Sequence, residues 1–516
     1  MGRIRRVQTF VPGLGGAGGG PNLAALPSAF AGSEPNWTAF PKTAWALNTP
    51  FVDSTGVTLR RLSNASSPLS NTLVNFEYGT GGPRVSQRFG SNRYHVAYVL
   101  TSGSQQVRCF DVERGVGMVA GTDISLPISP GAIGYCFSML PGEEHIIYFS
   151  DRGSPSNIRR YNVQTQAYEA NAVFSGVNAS IPAGGNDAGW MQTSWDGTRL
   201  VYQTNTGGIV VPHHVTLATG VRVTYPGSIS GGINEIKMLK GTSRVVVLVT
   251  NGDTAAWWFV DENRATAIGA GTRSGHSDAG ETNFYSFDPN VGTHPLAVQT
   301  PGTAPASEGG TWTGARTDRF AAGGTDMIGF TDGYEGMHWN QSGAGASEWV
   351  CWGANYPAEG ISFAGWSVDS GSVYRSTITY NGPAYGQSAR GPQVVQVVSG
   401  TTITGHLTRA ASRGAMMAGT WFWDGSFLYA WMADNGSPTG RVRSHAGALL
   451  TEGIGYARAD GGDRRKLCNN YMQGTFIPYE QRGFVNWAPD GRLVLFPSNL
   501  GVDGRVDLIM AEVPLA

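Results

Sequence analysis

Residues 486–498 read Asn-Trp-Ala-Pro-Asp-Gly-Arg-Leu-Val-Leu-Phe-Pro-Ser, and residues 194–204 read Ser-Trp-Asp-Gly-Thr-Arg-Leu-Val-Tyr-Gln-Thr. Both stretches contain an aromatic residue, a tight Asp-Gly turn, an apolar strand and a polar turn, in that order. A supersecondary unit that recurs along a chain is typical of repeat architectures, in which each copy buries its apolar face against its neighbours. The recurrence therefore predicts a repeat fold before any single residue is interpreted.

Further copies of this strand-and-turn unit occupy most of the chain. Eight candidates begin at residues 93, 144, 200, 244, 295, 372, 424 and 493. This spacing is the length of a four-stranded propeller blade with long loops. We expect an all-β fold, a β-propeller of about seven four-stranded blades with six to eight allowed, and a seam strand at 506–513. A β-sandwich is the alternative, but it would not repeat an aromatic-Asp-Gly unit.

Composition supports a β-rich chain and excludes two classes of partner. Of 516 residues, 74 are glycine and only 14% are charged, which suits short strands and tight turns. A net charge of −1 provides no field to hold nucleic acid or an anionic membrane. Because no run of about 18 apolar residues occurs, we also expect no membrane insertion.

The first 35 residues form a separate Gly-rich tail, and residues 36–516 form the predicted propeller. Residues 13–20 read Gly-Leu-Gly-Gly-Ala-Gly-Gly-Gly. This stretch would lose too much backbone entropy on ordering to become ordered by itself. We therefore expect the tail to be flexible or to dock on other protein subunits. No signal peptide is apparent, so a virion or a non-classical extracellular route is expected, with the compartment unassigned.

The two repeats carry a family resemblance. The stretch 486–498, followed by Gly-Arg-Val-Asp at 504–507, resembles the W-S-P-D-G-x-x-φ-x-F-x-S blade motif of TolB-like propellers, where φ is apolar. Residues 51–62 and 274–280 are similar to segments of bacterial propellers that include oligogalacturonate-lyase-like and ulvan-lyase-like proteins. The resemblance spans about 50–513, is specific only in the two motifs, and implies a fold more than an activity.

The lyase-like relatives imply one candidate catalytic set. A β-elimination needs a base, a cation that neutralises the carboxylate and an acid for the leaving oxygen. His276 lies in a Gly/Ser/Asp loop, with Arg273 before it, Tyr285 after it, and Asp278 placed to orient the imidazole. The alternative is a turn with a solvent-facing histidine.

A second candidate site is a sugar-stacking platform. Flat apolar rings with polar rims suit pyranose faces. The alternative for these aromatics is packing between blades. The candidate residues are His338, Trp339, Trp349, Trp352 and Tyr356.

No metal site or cofactor is predicted. His213 and His214 are adjacent on a predicted strand and would face opposite ways, so one metal would rarely use both. The four cysteines form no C-x-x-C pair, and P-loop, G-x-S-x-G and H-E-x-x-H motifs do not occur.

Two functions from different classes follow. The first is a non-catalytic propeller subunit of a larger assembly, such as a virion structural or receptor-recognition component, with glycan as a candidate ligand. The second is a polysaccharide lyase that cleaves uronate-containing glycans by β-elimination. The near-neutral surface, the tail and the lack of a signal peptide favour the first.

Overall fold

The computed structural model of the chain is all-β, and its described residues include short 3-10 turns at Leu23–Ala25, Lys42–Ala44 and Arg413–Ala415. Among the described residues, no helix is long and apolar enough to span a membrane. The structure describes residues 22–26, 39–63, 74–75, 84–90, 92–102, 104–128, 134–151, 157–171, 173–174, 180–183, 189–194, 197–206, 209–224, 232–238, 245–251, 254–261, 264–267, 278–279, 284–287, 296–299, 315–316, 337–342, 349–354, 360–381, 394–399, 402–445, 453–458, 465–471, 486–498, 500 and 507–516.

Most strands form antiparallel meanders of four or five strands. Sheet 1 joins β1 (Pro50–Val52), β2 (Thr58–Arg61), β37 (Asn486–Trp487), β38 (Leu493–Ser498) and β39 (Asp507–Glu512). Sheet 2 contains β3 (Val74–Asn75), β4 (Arg93–Ser102), β5 (Ser104–Glu113), β6 (Gly117–Met118) and β7 (Ile124–Ser125). Sheet 3 contains β8 (Tyr135–Phe137), β9 (Ile146–Ser150), β10 (Asn157–Asn162), β11 (Ala167–Tyr168) and β12 (Ser180–Pro182).

The next four sheets each have four strands. Sheet 4 contains β13 (Gly189–Thr193), β14 (Arg199–Thr206), β15 (Ile209–Thr216) and β16 (Arg222–Thr224), and sheet 5 contains β17 (Gly232–Met238), β18 (Val245–Asn251), β19 (Thr254–Asp261) and β20 (Arg264–Ala267). Sheet 6 contains β21 (Asp278–Ala279), β22 (Phe284–Phe287), β23 (Leu296–Gln299) and β24 (Ala315–Arg316), and sheet 7 contains β25 (Met337–Ser342), β26 (Trp349–Ala354), β35 (Gly453–Arg458) and β36 (Arg465–Asn469).

Successive sheets pack face to face in chain order. One apolar cluster joins sheets 1 and 2, a second joins sheets 2 and 3, and a third joins sheets 3 and 4. A further cluster joins sheet 7 to sheet 1, and first strands β13, β17, β21, β25 and β37 contact one another in sequence. This arrangement of four-stranded meanders confirms the β-propeller class. The blade number stays a prediction, because segments between the sheets lie outside the described residues.

The two ends of the chain meet in sheet 1. Strand β2 pairs antiparallel with β39, with Leu59 opposite Ala511, so N- and C-terminal strands share one ladder. Residues 22–26, which belong to the predicted tail, pack near these paired strands of sheet 1. The Asn22 N–H donates to the Pro514 carbonyl at 2.8 Å, and the Leu26 side chain is buried in the sheet 7–sheet 1 cluster. This part of the tail therefore packs on its own chain.

The described parts of residues 360–445 form a closed barrel between β26 and β35 of sheet 7, which we call the inserted barrel. The strands are β27 (Gly360–Phe363), β28 (Ser367–Ser370), β29 (Val373–Asn381), β30 (Val394–Ser399), β31 (Thr402–Arg409), β32 (Thr420–Trp423), β33 (Phe427–Trp431) and β34 (Val442–His445). The pairings run from β27 through β34, β30, β31, β32, β33 and β29 and return to β27, while β28 adds to β29 from outside. Among these described strands, the β31–β32 pairing is the parallel one.

The inserted barrel has a hydrophobic core of its own. Trp421, Leu428 and Val395 lie at its centre, and every member of that cluster comes from residues 363–442. Two of the eight repeat candidates, those beginning at residues 372 and 424, fall in β29 and β33. They are therefore barrel strands and not blade units, because an apolar strand between polar turns is common to both architectures.

The repeated turn is the same in both copies. Gly197 and Gly491 each have a φ near +70° and donate to the carbonyl three residues earlier, Ser194 or Ala488. This φ is the left-handed region, which glycine adopts without penalty. When the two sequences are aligned on these glycines, Pro489 corresponds to Trp195, so the aromatics of the two repeats are not at equivalent sequence positions.

Candidate functional site

The predicted catalytic set is only partly within the described residues. Asp278 in β21 and Tyr285 in β22 are directly opposite each other in an antiparallel pair. Residues opposite in such a pair lie on one face of the sheet, about 5 Å apart at Cβ. His276 and Arg273 lie outside the described residues, so their predicted roles stay predictions.

The predicted sugar platform is divided between two faces of sheet 7. Trp339 in β25 is opposite Trp352 in β26, so these two residues share one face. His338 is opposite Gly353 and Ser342 is opposite Trp349, which places His338 and Trp349 on the other face. Tyr356 lies outside the described residues. The backbone register therefore brings together two of the five predicted residues on each face.

His213 and His214 lie on β15 as predicted and are both buried. The His213 ring is held at both nitrogens, by Thr204 Oγ1 at 2.7 Å and Thr224 Oγ1 at 3.0 Å. Burial, assisted by Arg222, lowers the pKa of His213 to about 4. The ring is therefore a neutral packing and hydrogen-bonding group. Among the residues that the structure describes, no three His, Cys, Asp or Glu side chains are grouped as a metal site.

A polar relay joins sheets 2 and 3. His95 Nδ1 is 2.6 Å from Asp111 Oδ1, and His95 Nε2 is 2.5 Å from His145 Nδ1. Phe89 stacks on the His95 ring at 4.3 Å and meets the His145 ring edge to face. Burial, together with the neighbouring His95, lowers the pKa of His145.

The geometry of the relay assigns its protons. Asp111 accepts from His95 Nδ1–H, which leaves His95 Nε2 as the acceptor for His145 Nδ1–H. His145 Nε2 then carries the free lone pair, and the ring is neutral near pH 7 because its pKa is lowered. The carboxylates of Glu144 and Asp111 also act on the His145 ring electrostatically. The relay joins β4 and β5 of sheet 2 to the residue that precedes β9 of sheet 3.

A second polar seam joins sheets 1 and 2 at the repeated turn. Tyr94 Oη–H donates to Asp490 Oδ2 at 2.8 Å, and the guanidinium groups of Arg88 and Arg492 lie 3.6 and 3.7 Å from the same oxygen. Burial raises the pKa of Asp490, although these partners oppose the shift. Asp490 of the repeated motif thus contacts the neighbouring sheet through its side chain and also forms part of its own turn.

The inserted barrel has a second apolar cluster outside its core, in which Tyr429 is buried with Val373, Ala410 and Met416, and Phe422, Phe427 and Trp431 are partly buried. Two half-exposed arginines lie over these rings, and we call this region the aromatic–arginine face. It lies on one side of β29, β33 and β32, where Arg375 is opposite Tyr429 and Tyr429 is opposite Phe422. Because side chains alternate along a strand, inner Leu428 and Ala430 fill the barrel core while their neighbours point outward. The residues of the face are Arg375, Arg413, Phe422, Phe427, Tyr429 and Trp431.

Two arginines cover the rings of this face. The Arg375 guanidinium lies 5.1 Å from the Phe427 ring centroid, and the Arg413 guanidinium lies 5.0 Å from that of Tyr429. Their side chains are 46% and 42% exposed. Both pair with one carboxylate, that of Asp369 in the edge strand β28. Two half-exposed cations therefore share a single acidic partner.

The ring of Tyr429, at the centre of the face, is held by a hydrogen bond from its hydroxyl. Tyr429 Oη–H donates to Asp424 Oδ2 at 2.9 Å. Burial and this hydrogen bond raise the pKa of Tyr429. At Asp424 the cost of burial is outweighed by backbone N–H donors from Phe427 and Ser426, so the pKa of that carboxyl is lowered. Tyr429 is therefore held by a hydrogen bond in the chain alone.

The sequence carried a signal for this face that the repeat pattern concealed. The stretch 420–431 reads Thr-Trp-Phe-Trp-Asp-Gly-Ser-Phe-Leu-Tyr-Ala-Trp, in which three consecutive rings precede an Asp-Gly turn and rings alternate with smaller apolar residues after it. That alternation is typical of a hairpin with two occupied faces. Its resemblance to the blade turn led to its assignment as a repeat unit.

The fold is similar to that of solved propellers at low identity. Oligogalacturonate lyase from Vibrio parahaemolyticus is 10% identical over 90% of this chain and 96% of its own, with a TM-score of 0.40. An oligogalacturonate lyase in complex with manganese gives 11% identity, 90% and 96% coverage, and a TM-score of 0.37. A putative TolB from Agrobacterium tumefaciens is 13% identical over 45% of this chain and 76% of its own, with a TM-score of 0.28. No protein-family model and no curated protein sequence matches the chain.

Proposed function

We propose that this chain is a non-catalytic β-propeller subunit of a larger assembly, such as a virion structural or receptor-recognition component, with glycan as a candidate ligand. The ring acts as a scaffold, and the inserted barrel acts as its recognition module. Other protein subunits contact the chain through residues 1–35.

The observation that carries this proposal is the inserted barrel. It interrupts sheet 7 between β26 and β35, closes on itself and buries its own core. A module with its own core can change its surface without disturbing the ring, and binding residues commonly lie on elements that a rigid scaffold positions. Its outer side presents half-exposed arginines over aromatic rings, a composition typical of recognition surfaces.

The test is the native mass of the chain in material from its source. We expect a stoichiometric complex that contains the chain together with other subunits. A matched control is the chain beginning at Pro21, which removes the Gly-rich stretch but keeps the packed segment Asn22–Leu26. We expect that variant to fold and to be missing from the complex, whereas a full-length chain that remains a monomer would refute the proposal.

One observation favours the polysaccharide lyase as a second candidate. Asp278 and Tyr285 are opposite in sheet 6, so two members of the sequence-predicted set share a face. A lyase of this kind would produce the ultraviolet absorbance of unsaturated uronates from uronate-containing polysaccharides. His276→Ala would abolish that signal, while Arg441→Ala on the inserted barrel would leave it unchanged.

A further inference from the structure

We propose that the inserted barrel binds an extended acidic segment of a partner protein, which adds as a strand to β28 beside the aromatic–arginine face. This inference rests on the proposed function, since it names the kind of partner that the recognition module takes. The occupant is a strand whose carboxylates meet Arg413 and Arg375.

The backbone of β28 provides the first part of the argument. Within the described part of the chain, Ser367–Ser370 pairs only with β29, so its other edge is open. Open strand edges are templates for strand addition, and folded proteins usually cover or protect them. Val368 on this edge is 61% exposed, which offers an apolar contact to an added strand.

Charge provides the second part. Arg413 reaches β28 directly, because its guanidinium pairs with Asp369 and donates to Ser370 Oγ at 3.3 Å. Arg375 lies one strand further in and is 3.9 Å from the same Asp369 carboxylate. Two cations and one carboxylate leave a formal charge of +1 at the open edge. A strand laid along β28 would therefore meet guanidinium donors on that face.

Preorganisation provides the third part. Each guanidinium is held over a ring, and Tyr429 is itself fixed by Asp424. An arginine stacked on a ring retains N–H donors at its edge and has less rotamer freedom to lose when it binds a carboxylate. Side-chain carboxylates on an extended segment project at alternate residues, which matches a site that is polar on one side and apolar at Val368.

The experiment uses the full chain and a blocked, fluorescent ten-residue peptide of alternating glutamate and valine, with a lysine–valine peptide as the sequence control. Fluorescence anisotropy should show binding of the glutamate peptide that weakens as salt rises. The lysine peptide should not bind. Failure of the glutamate peptide to bind at low salt, or equal binding of both peptides, would overturn the inference.

Two matched charge reversals locate the site. Arg413→Glu should weaken peptide binding by at least about tenfold, the cost of losing a charge-assisted hydrogen bond and gaining a repulsion. Arg441→Glu is the control, because Arg441 is also exposed on the barrel but pairs with Asp434 away from β28. Circular dichroism would confirm that both variants fold. Equal effects of the two substitutions would place the contact elsewhere.

The outcome also separates this inference from the proposed function. If the native complex forms but Arg413→Glu enters it normally and the peptide does not bind, the strand-addition site is wrong and the assembly proposal stands. If the peptide binds as expected but the native chain is a monomer, the assembly proposal is wrong. Binding of a glycan in place of the peptide at this face would also overturn the inference.

Discussion

The hydroxyl of Tyr94 donates a 2.8 Å hydrogen bond to the carboxylate of Asp490, which links the repeated turn of sheet 1 to the second strand of sheet 2. The two residues are 396 positions apart in sequence. The aspartate that makes the Asp-Gly turn recognisable is therefore also a contact between sheets. A turn residue can serve two roles, because its backbone shapes the hairpin while its side chain reaches a neighbouring sheet.

Loss of this contact should weaken the ring. We expect Tyr94→Phe and Asp490→Ala each to lower the free energy of unfolding by about 1–3 kcal/mol, since each removes one side of a buried hydrogen bond. A double-mutant cycle should give a coupling energy of about 1 kcal/mol or more. Urea unfolding of the parent chain, the two single variants and the double variant measures this coupling energy. Additive effects would show that the hydrogen bond contributes nothing beyond packing.

The repeated turn also predicts that two glycine-to-alanine substitutions will differ in how much they lower stability. Gly197 and Gly142 both have positive φ, but a Cβ at Gly197 would overlap the backbone of Leu140, whereas a Cβ at Gly142 meets no atom within 4 Å. Gly142→Ala should cost about 1–2 kcal/mol from backbone strain alone. Gly197→Ala should cost about 1–3 kcal/mol more because of overpacking. Similar losses in thermal unfolding for both variants would contradict the close contact between sheets 3 and 4.

Sequence alone predicted the fold class from this turn but not the inserted barrel. The turn at 488–491 fixes a local backbone shape, and local shapes can be inferred from Asp-Gly and the apolar strand that follows. The order β27–β34–β30 joins strands distant in sequence, and no local pattern encodes such pairings. Asp424-Gly425 has the same local signal as Asp490-Gly491, so only long-range pairing distinguishes barrel from blade.

The same limit applies to the candidate sites. Trp339 and Trp352 are recognisable as aromatics from composition, but the face each occupies depends on the register of β25 against β26. The relay of Asp111, His95 and His145 joins three segments that carry no shared motif. Contacts of this kind depend on how sheets pack, which sequence spacing does not specify.

His213 predicts how stability depends on pH. Its pKa is lowered to about 4 by burial first and Arg222 second, while the unfolded ring keeps a value near 6.5. The unfolded chain therefore binds the proton first as the pH falls, so stability is full above about pH 6.5 and declines toward pH 4. The loss attributable to this group is up to about 3 kcal/mol. The lowered pKa of His145 acts in the same direction.

His213→Gln tests that assignment. Glutamine does not titrate in this range, so the variant should lose less stability than the parent chain between pH 6.5 and pH 4. Chemical unfolding at several pH values provides the comparison. An unchanged slope would show that His213 titrates normally in the folded chain.

If sheet 7 binds glycan, substitutions of its tryptophans should differ in how much they weaken that binding. Trp339 and Trp352 share one face of the β25–β26 pair, and Trp349 lies on the other. If the face that carries Trp339 and Trp352 stacks on sugar, Trp339→Ala and Trp352→Ala should each weaken glycan binding by about tenfold, while Trp349→Ala should leave it within about twofold. Equal losses for all three in a binding titration would indicate a folding effect.

The central proposal is that the ring is a non-catalytic scaffold for recognition, and a turnover measurement tests this proposal most directly. The full chain would be incubated at high concentration with a panel of neutral and uronate-containing polysaccharides, and mass spectrometry would follow their ends over time. The account predicts that every polysaccharide keeps its original length. Accumulation of unsaturated fragments that disappears in His276→Ala would contradict it.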